Sequence, residues 1–355
     1  MHITGIGTAS PPARYTKAEC LAAFEASDWF ARLDARAHHV ARLVLGRDNG
    51  IEARRLSVDS LDEVFEIDPD VLDARFAEHA PRLATEAGAR ALESARLAPD
   101  DIDAVIVSTC TGYLCPGLSG YVVERLGLRA DVRCFDLVGQ GCAAAVPNLQ
   151  LGRSLVDSGA AGRALSVCVE VSSAAMSLDN DPGVLISACL FGDGAGAAVL
   201  SAGAEPGALG GRRVLWRDDA SLIEPARRGA LRFEKRAGLL RNILTRAVPN
   251  LAGDYARRAL DTVLDRTGAE REGITGWAMH AGGRDVLQAL ERDLELDPRA
   301  LRHSASLLAE HGNLSSAFVY FVLEAMLAEP VPDGLWWLSS FGAGFSCHGA
   351  LLEVS

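Results

Sequence analysis

One thiol stands where a thiol can do chemistry. The stretch 134–151, CFDLVGQGCAAAVPNLQL, runs from a strand-like segment into a glycine pair and places Cys142 at the head of a small-residue helix. A helix N-terminus favours the thiolate, the nucleophilic form of cysteine. Free Cys is also among the most buried residue types. On this stretch alone, packing and nucleophile are both open readings. Two other residues occupy similar places: His280 ends the run GITGWAMH, and Asn313 follows Gly312 ahead of LSSAFVYF. An imidazole beside a thiol can hold it ionised. An imidazole and a side-chain amide together supply two donors to an oxygen that gains negative charge. Each also has a plain reading, the histidine as a satisfied core group and the asparagine as a helix N-cap.

The surrounding elements alternate in type, which predicts an α/β fold. MHITGIGTA reads as a strand and turn, 83–96 as a helix, 103–110 as a buried strand, 120–128 as a helix and DVRCFDL as a strand. ALSVCVEVSS (164–173) is a strand, and CLFGDGAGAAVLSA (189–202) reads as two strands around a Gly-rich turn. SAGAEPGALGG (201–211) is the expected connection, dividing the chain into residues 1–205 and 206–355. The second part repeats the first in outline: 273–280 answers 103–110, 334–344 answers 164–173, and 346–354 answers the strand after FGDGAG. Asn313 then stands where Cys142 stood. Two similarly built halves would bring Cys142 from one to His280 and Asn313 from the other. Trp336 and Trp337 are expected in the core, Cys134 and Cys168 as strand packing, and His311 as structural.

Together GQGCAAAVPNLQLG, MHAGGRDVLQAL, HGNLSSAFV, CLFGDGAGAAVL and SSFGAGFS, in this order, resemble the type III polyketide synthases, the chalcone-synthase-like branch of the thiolase superfamily. The resemblance runs from about residue 80 to the end of the chain. It implies a layered αβαβα body of thiolase-like fold, a homodimer, and a Cys142–His280–Asn313 triad at the base of a buried cavity. Glu170 matches a family position behind the active site. Cys110, Thr111, Cys115, Phe191, Arg241, Ser315 and Ala343 are the implied substrate-binding residues. Cys115 takes a position that is often bulky in the family, and Arg241 falls near one that is usually aromatic. Backbone N–H groups of Cys142 and of the 341–346 loop are the implied oxyanion hole. The family's basic coenzyme A contacts align with LVLGRDNGIEARR (43–55), where Arg47 is the nearest basic residue.

The implied chemistry loads an acyl group from a coenzyme A thioester on Cys142. Malonyl-CoA is then decarboxylated against His280 and Asn313, and its enolate extends the chain before cyclisation. No bound prosthetic group is required, since acyl-CoA and malonyl-CoA are substrates. An acyl carrier protein is a possible alternative donor. Small residues at the pocket positions lead to the expectation of a medium- to long-chain fatty acyl starter and an alkylpyrone or alkylresorcinol product. The alternatives are a β-ketoacyl synthase III that condenses once, and a malonyl-only synthase of the tetrahydroxynaphthalene type.

Bulk properties narrow the field further. The chain has 355 residues and a net charge of −12, which argues against nucleic acid or an anionic membrane as partner. No apolar run reaches the roughly 18–20 residues of a membrane span, and the N-terminus lacks a basic n-region followed by an apolar stretch. A cytoplasmic location with free thiols is expected for the eight cysteines, which form no CxxC pair. No metal-ligand spacing occurs. Lys17 and Lys235 are the only lysines, and neither follows an apolar strand as a Schiff-base lysine would. GQGCAA also fits a dinucleotide fingerprint, but the acidic residue wanted about 20 positions on is absent, Glu170 standing nearer thirty. The locally basic runs in 211–238 read as a solvated face or as contacts for coenzyme A phosphates or an acidic carrier protein.

Overall fold

Alternation of apolar and small residues builds one large sheet whose two faces are both covered. A computed structural model describes residues 1–205 and 207–355. Its strands are β1 (His2–Ala9), β2 (Arg14–Thr16), β3 (Ala53–Arg55), β4 (Ala104–Ser108), β5 (Arg133–Leu137), β6 (Arg163–Glu170), β7 (Gly194–Ser201), β8 (Val214–Ile223), β9 (Leu231–Arg236), β10 (Leu239–Leu244), β11 (Ile274–Met279), β12 (Gly334–Gly342) and β13 (Ser346–Val354). The helices are α1 (Lys17–Ala26), α2 (Asp28–Arg32), α3 (Ala35–Gly46), α4 (Pro69–Ala95), α5 (Leu118–Leu126), α6 (Ala145–Asp157), α7 (Pro182–Leu190), α8 (Val248–Thr267), α9 (Arg284–Asp293), α10 (Arg302–His311) and α11 (Phe318–Ala328).

Nine strands form the main sheet in the order β11-β12-β13-β8-β1-β7-β6-β4-β5. The order repeats. β6 lies parallel to β4 and antiparallel to β7, which pairs with β1. In the same way β12 lies parallel to β11 and antiparallel to β13, which pairs with β8. β5 has no counterpart and forms an edge. The two five- and four-stranded runs meet only where His2 and Ile3 pair with Leu215 and Val214. The expected division at 205/206 begins on residue 206, outside the described residues.

Successive side chains of a strand face opposite ways, and here both ways are core. Val105 and Val107 join α4, while Ala104 and Ile106 join α6 and α11. α4 can lie close on β1 because Gly5 and Gly7 have no side chain; a Cβ there would sit 2.2 Å and 2.4 Å from backbone atoms of Ala91. α6 touches β4 and β6 on one side and β12 and β13 on the other, and α11 likewise spans β1, β7, β11 and β12. With α4 and α8 outside, the layers run helix, sheet, helix, sheet, helix. Trp336 and Trp337 are fully buried, as expected.

Two local expectations are corrected. The segment 189–202 is not two strands. Asp181 caps α7 by accepting from Gly183 and Val184, the helix runs through Cys189 and Leu190, and only β7 follows. Cys134 does not pack, because β5 is an edge strand and leaves it exposed.

Candidate active site

The position of Cys142 is set by the helix behind it. Asn148 of α6 is fully buried and donates to Ser108 Oγ (2.8 Å) and Val167 O (3.0 Å), while Ser166 Oγ donates back to its Oδ1 (2.7 Å). Such a satisfied amide pins the helix between two strands. The turn before it, Gly141–Ala143, is a single 3₁₀ turn with Gly141 at φ +55°, so Cys142 stands just ahead of α6. From the second half of the chain, Ser340 Oγ donates to Ala143 O at 2.9 Å. Gly342 allows the 341–346 loop to close on this turn: a Cβ there would lie 2.5 Å from Ala143 N. Ala343 lies against Gly141 rather than along the cavity, where it supports the nucleophile turn.

Cys142 is buried, and Ser315 Oγ stands 3.2 Å from its Sγ. The same hydroxyl lies 3.2 Å from Glu170 Oε1 and 3.4 Å from Cys110 Sγ. Glu170, at the end of β6, is completely buried. It accepts from Cys110 N (3.0 Å), Thr111 Oγ1 (3.1 Å) and Ser316 Oγ. Asn313 joins this group through its side chain: Oδ1 accepts from Ser315 N at 2.8 Å, and Nδ2 donates to Gly282 O at 3.3 Å. Its backbone pairs with Phe191 in an isolated parallel bridge.

His280 ends β11, its N–H bonded to Ser339 O at 2.9 Å. The ring is 2% exposed and meets Phe318 edge-on, with Phe341 tilted beside it. Neither ring nitrogen has a hydrogen-bond partner. A buried unpaired polar group costs about 1–3 kcal/mol. Burial pushes the Cys142 thiol up to about 12, opposed by the Ser315 hydrogen bond and reinforced by the Glu170 charge. Burial also draws His280 down to about 3. Neither group ionises alone near neutral pH. Burial thus opposes the thiolate that the helix N-terminus favours. The neutral imidazole is in its basic form and ready to receive a proton.

A cavity adjoins Ser315. Cys110, Thr111 and Phe191 line it, as expected. Cys115 does not: it is exposed on the loop before α5, ahead of a cis Cys115–Pro116 bond. Arg241 does not line it either. It lies on β10 opposite Glu234 and pairs with Asp179 (2.7 Å) and Glu234 (3.2 Å). One residue on, the strand faces the other way, and Asn242 with its cross-strand partner Phe233 forms cavity wall. Ser172, Met176, Ser177 and Ser187 are further wall residues that spacing did not single out. Arg47, the nearest basic residue in the 43–55 segment, is the C-cap of α3 and exposed. Among the described residues, no helix is long and apolar enough to cross a membrane.

The duplicated strand order, with a cysteine from one half and a histidine and an asparagine from the other at element boundaries, is that of a thiolase-like fold. Comparison with known proteins gives the family. Residues 58–208 match the model described as FAE1/type III polyketide synthase-like protein, and 225–352 match the chalcone and stilbene synthase C-terminal domain. The chain is 31% identical to a 3,5-dihydroxyphenylacetyl-CoA synthase of Streptomyces toyocaensis, over 99% of this chain and 89% of the relative. It is 32% identical to the synthase of that name from Amycolatopsis orientalis, over 77% and 75%. Among solved structures it superimposes on 1,3,6,8-tetrahydroxynaphthalene synthase from Streptomyces coelicolor A3(2) with a TM-score of 0.87, at 24% identity over 99% of each chain. The polyketide synthase PKS-I of the brown alga Ectocarpus siliculosus superimposes with a TM-score of 0.88, at 25% identity over 99% of this chain and 97% of that one. The chain belongs to the type III polyketide synthases, which are decarboxylating, condensing acyltransferases.

Proposed function

We propose that this enzyme builds its product from malonyl-CoA alone and cyclises an eight-carbon chain to a dihydroxyphenylacetyl-type thioester. The observation that carries the reading is the cavity beside Ser315, whose wall includes Thr111, Ser172, Ser177, Ser187 and Asn242. These polar groups stand among Ala175, Met176, Val184, Ala188, Phe191 and Phe233, so the wall is mixed and offers hydrogen bonds to a chain with an oxygen on every second carbon. The long-chain expectation rested on Cys115 and Arg241, both of which lie outside this wall. The two relatives named for 3,5-dihydroxyphenylacetyl-CoA support the same product class.

In the first step His280 takes the Cys142 proton as the sulfur attacks the malonyl thioester carbonyl. Coenzyme A leaves as thiolate and takes that proton back. The Cys142–malonyl ester then receives the enolate of a second malonyl-CoA. The C–CO₂ bond of that malonyl-CoA breaks, and its electron pair delocalises onto the thioester oxygen, where His280 N–H and Asn313 Nδ2–H donate. The enolate carbon attacks the acyl carbonyl and expels the Cys142 thiolate, leaving the longer chain on coenzyme A. Two repeats give a tetraketide thioester. Loss of the starter's terminal carboxylate supplies the carbon nucleophile that closes onto the ketone at C3, and loss of water gives the ring. Four malonyl-CoA yield the aromatic thioester, four carbon dioxide, three coenzyme A and one water. Coenzyme A thioesters act as substrates in this scheme, and no prosthetic group takes part.

The edge strand β5 carries exposed Cys134, and exposed Val138 and Tyr113 lie on the loops that follow β5 and β4. An edge strand with apolar flanks is suited to pairing with a copy of itself, and the enzyme is proposed to be a homodimer through it. Sedimentation of Val138→Glu with Tyr113→Glu should show monomer where the parent shows dimer; a parent that sediments as monomer removes this part. The chemistry is tested by supplying malonyl-CoA alone and in competition with acyl-CoAs of two to sixteen carbons. A maximum in kcat/KM at a long-chain starter would overturn it.

A further inference from the structure

The β9–β10 hairpin stands outside the main sheet, lies against α7 and contributes Phe233 and Asn242 to the cavity wall. Strand alternation turns Arg241 into its ion pairs and Asn242 into the cavity. Asn242 is 7% exposed, and its Oδ1 has no hydrogen-bond partner. Across the same cavity, Ser172 Oγ, two residues beyond Glu170, is also buried without a partner. Buried polar atoms are normally satisfied, as Glu170, Thr111 and Ser315 are by bonding one another. Two side chains of the cavity wall thus carry buried polar atoms that the protein leaves unpaired.

From this geometry we infer that Asn242, aided by Ser172, is a specificity-determining residue that binds an oxygen of the growing poly-β-keto chain. The inference rests on the malonyl-only reading above. A carboxamide suits the task because it both donates and accepts, as does a hydroxyl. A β-diketone exchanges keto and enol forms; Nδ2 can donate to the ketone oxygen and Oδ1 can accept from the enol O–H. Holding one oxygen at the hairpin fixes the distal end of the chain, so that the carbon that closes the ring meets C3 instead of the chain leaving early as a lactone. An apolar acyl chain in the same place would leave both polar atoms unpaired, and the cavity would reject it for that reason.

The test uses the full-length enzyme with malonyl-CoA, reading the ratio of eight-carbon aromatic product to early-released lactones. Asn242→Leu removes both polar atoms at similar volume. Asn242→Ala removes them without any clash against Phe233, so a folding failure of the first variant does not end the test. Loss of one such hydrogen bond corresponds to about 5- to 10-fold, and the ratio should fall by at least that in both variants. Asn242→Ser, which keeps a donor and acceptor, should recover part of it. The preference for octanoyl-CoA over malonyl-CoA as starter should rise in Asn242→Leu. Ratios and starter preference within twofold of the parent in both variants would overturn the inference. A parent enzyme that makes no aromatic product from malonyl-CoA would instead overturn the reading of function on which it rests.

Discussion

Ser315 Oγ lies 3.2 Å from Cys142 Sγ and 3.2 Å from Glu170 Oε1. A hydroxyl has one proton, so it serves the nucleophile or the carboxylate but not both at once. When sulfur gains charge, the proton turns to it, and Glu170 keeps its bonds from Cys110 N and Thr111 Oγ1. Ser315→Ala should slow alkylation of Cys142 by iodoacetamide about 3- to 10-fold, the worth of one hydrogen bond. An unchanged rate would show that the hydroxyl belongs to Glu170 alone.

His280 is the proposed acceptor of the Cys142 proton. Burial holds the thiol at about 12 and leaves His280 neutral above about 3. The free thiolate is scarce at pH 7, and reactivity there depends on transfer to His280. His280→Ala should therefore lose alkylation of Cys142 at pH 7 and regain it only as the pH climbs toward the thiol's own value. Parent-like alkylation at pH 7 in this variant would exclude the histidine as base.

Asn313 is proposed to act on the second substrate. Removing one oxyanion donor costs about 10²–10³ in rate, and Asn313→Ala should slow malonyl-CoA decarboxylation by that factor, measured by carbon dioxide release. Its Oδ1 also holds Ser315 N, so alkylation of Cys142 is the companion reading. A variant that decarboxylates at the parent rate removes the proposed role.

Acid should unfold the protein through its buried histidines. His280 is drawn down to about 3, and His311 and His348 to about 4, in each case chiefly by burial. Unfolded, each titrates near 6.5. Between those values the unfolded chain binds more protons, so stability is full above pH 6.5 and falls as the pH drops toward 4. The slope of unfolding free energy against pH near pH 5 should match roughly three protons taken up on unfolding, less carboxylate contributions that a His348→Asn, His311→Asn double variant leaves in place. An unchanged slope in that variant would contradict the assignment.

Much of this was legible in the sequence, because the signals were local. Cys142, His280 and Asn313 each lie within two residues of a glycine at an element boundary, and the halves repeat the same order of strands. Two kinds of information were not local. The α7 helix was hidden by the Gly-rich run that follows it, although Asp181–Pro182 is an N-cap pair. The cavity wall turned on a register: one residue separates Arg241, in its ion pairs, from Asn242, in the cavity, and periodicity in a short hairpin strand does not say which face is inward. Burial of Cys142 was likewise not legible, since helix position is visible in sequence and desolvation is not.

The most direct test of the central claim is mass spectrometry of the enzyme and its products after incubation with uniformly ¹³C-labelled malonyl-CoA as the only substrate. The expected result is a labelled acyl group on a peptide containing Cys142, together with an eight-carbon dihydroxyphenylacetyl product labelled at every carbon and absent with Cys142→Ala. Failure to form any condensed product from malonyl-CoA alone, or condensation that persists in Cys142→Ala, would contradict the account.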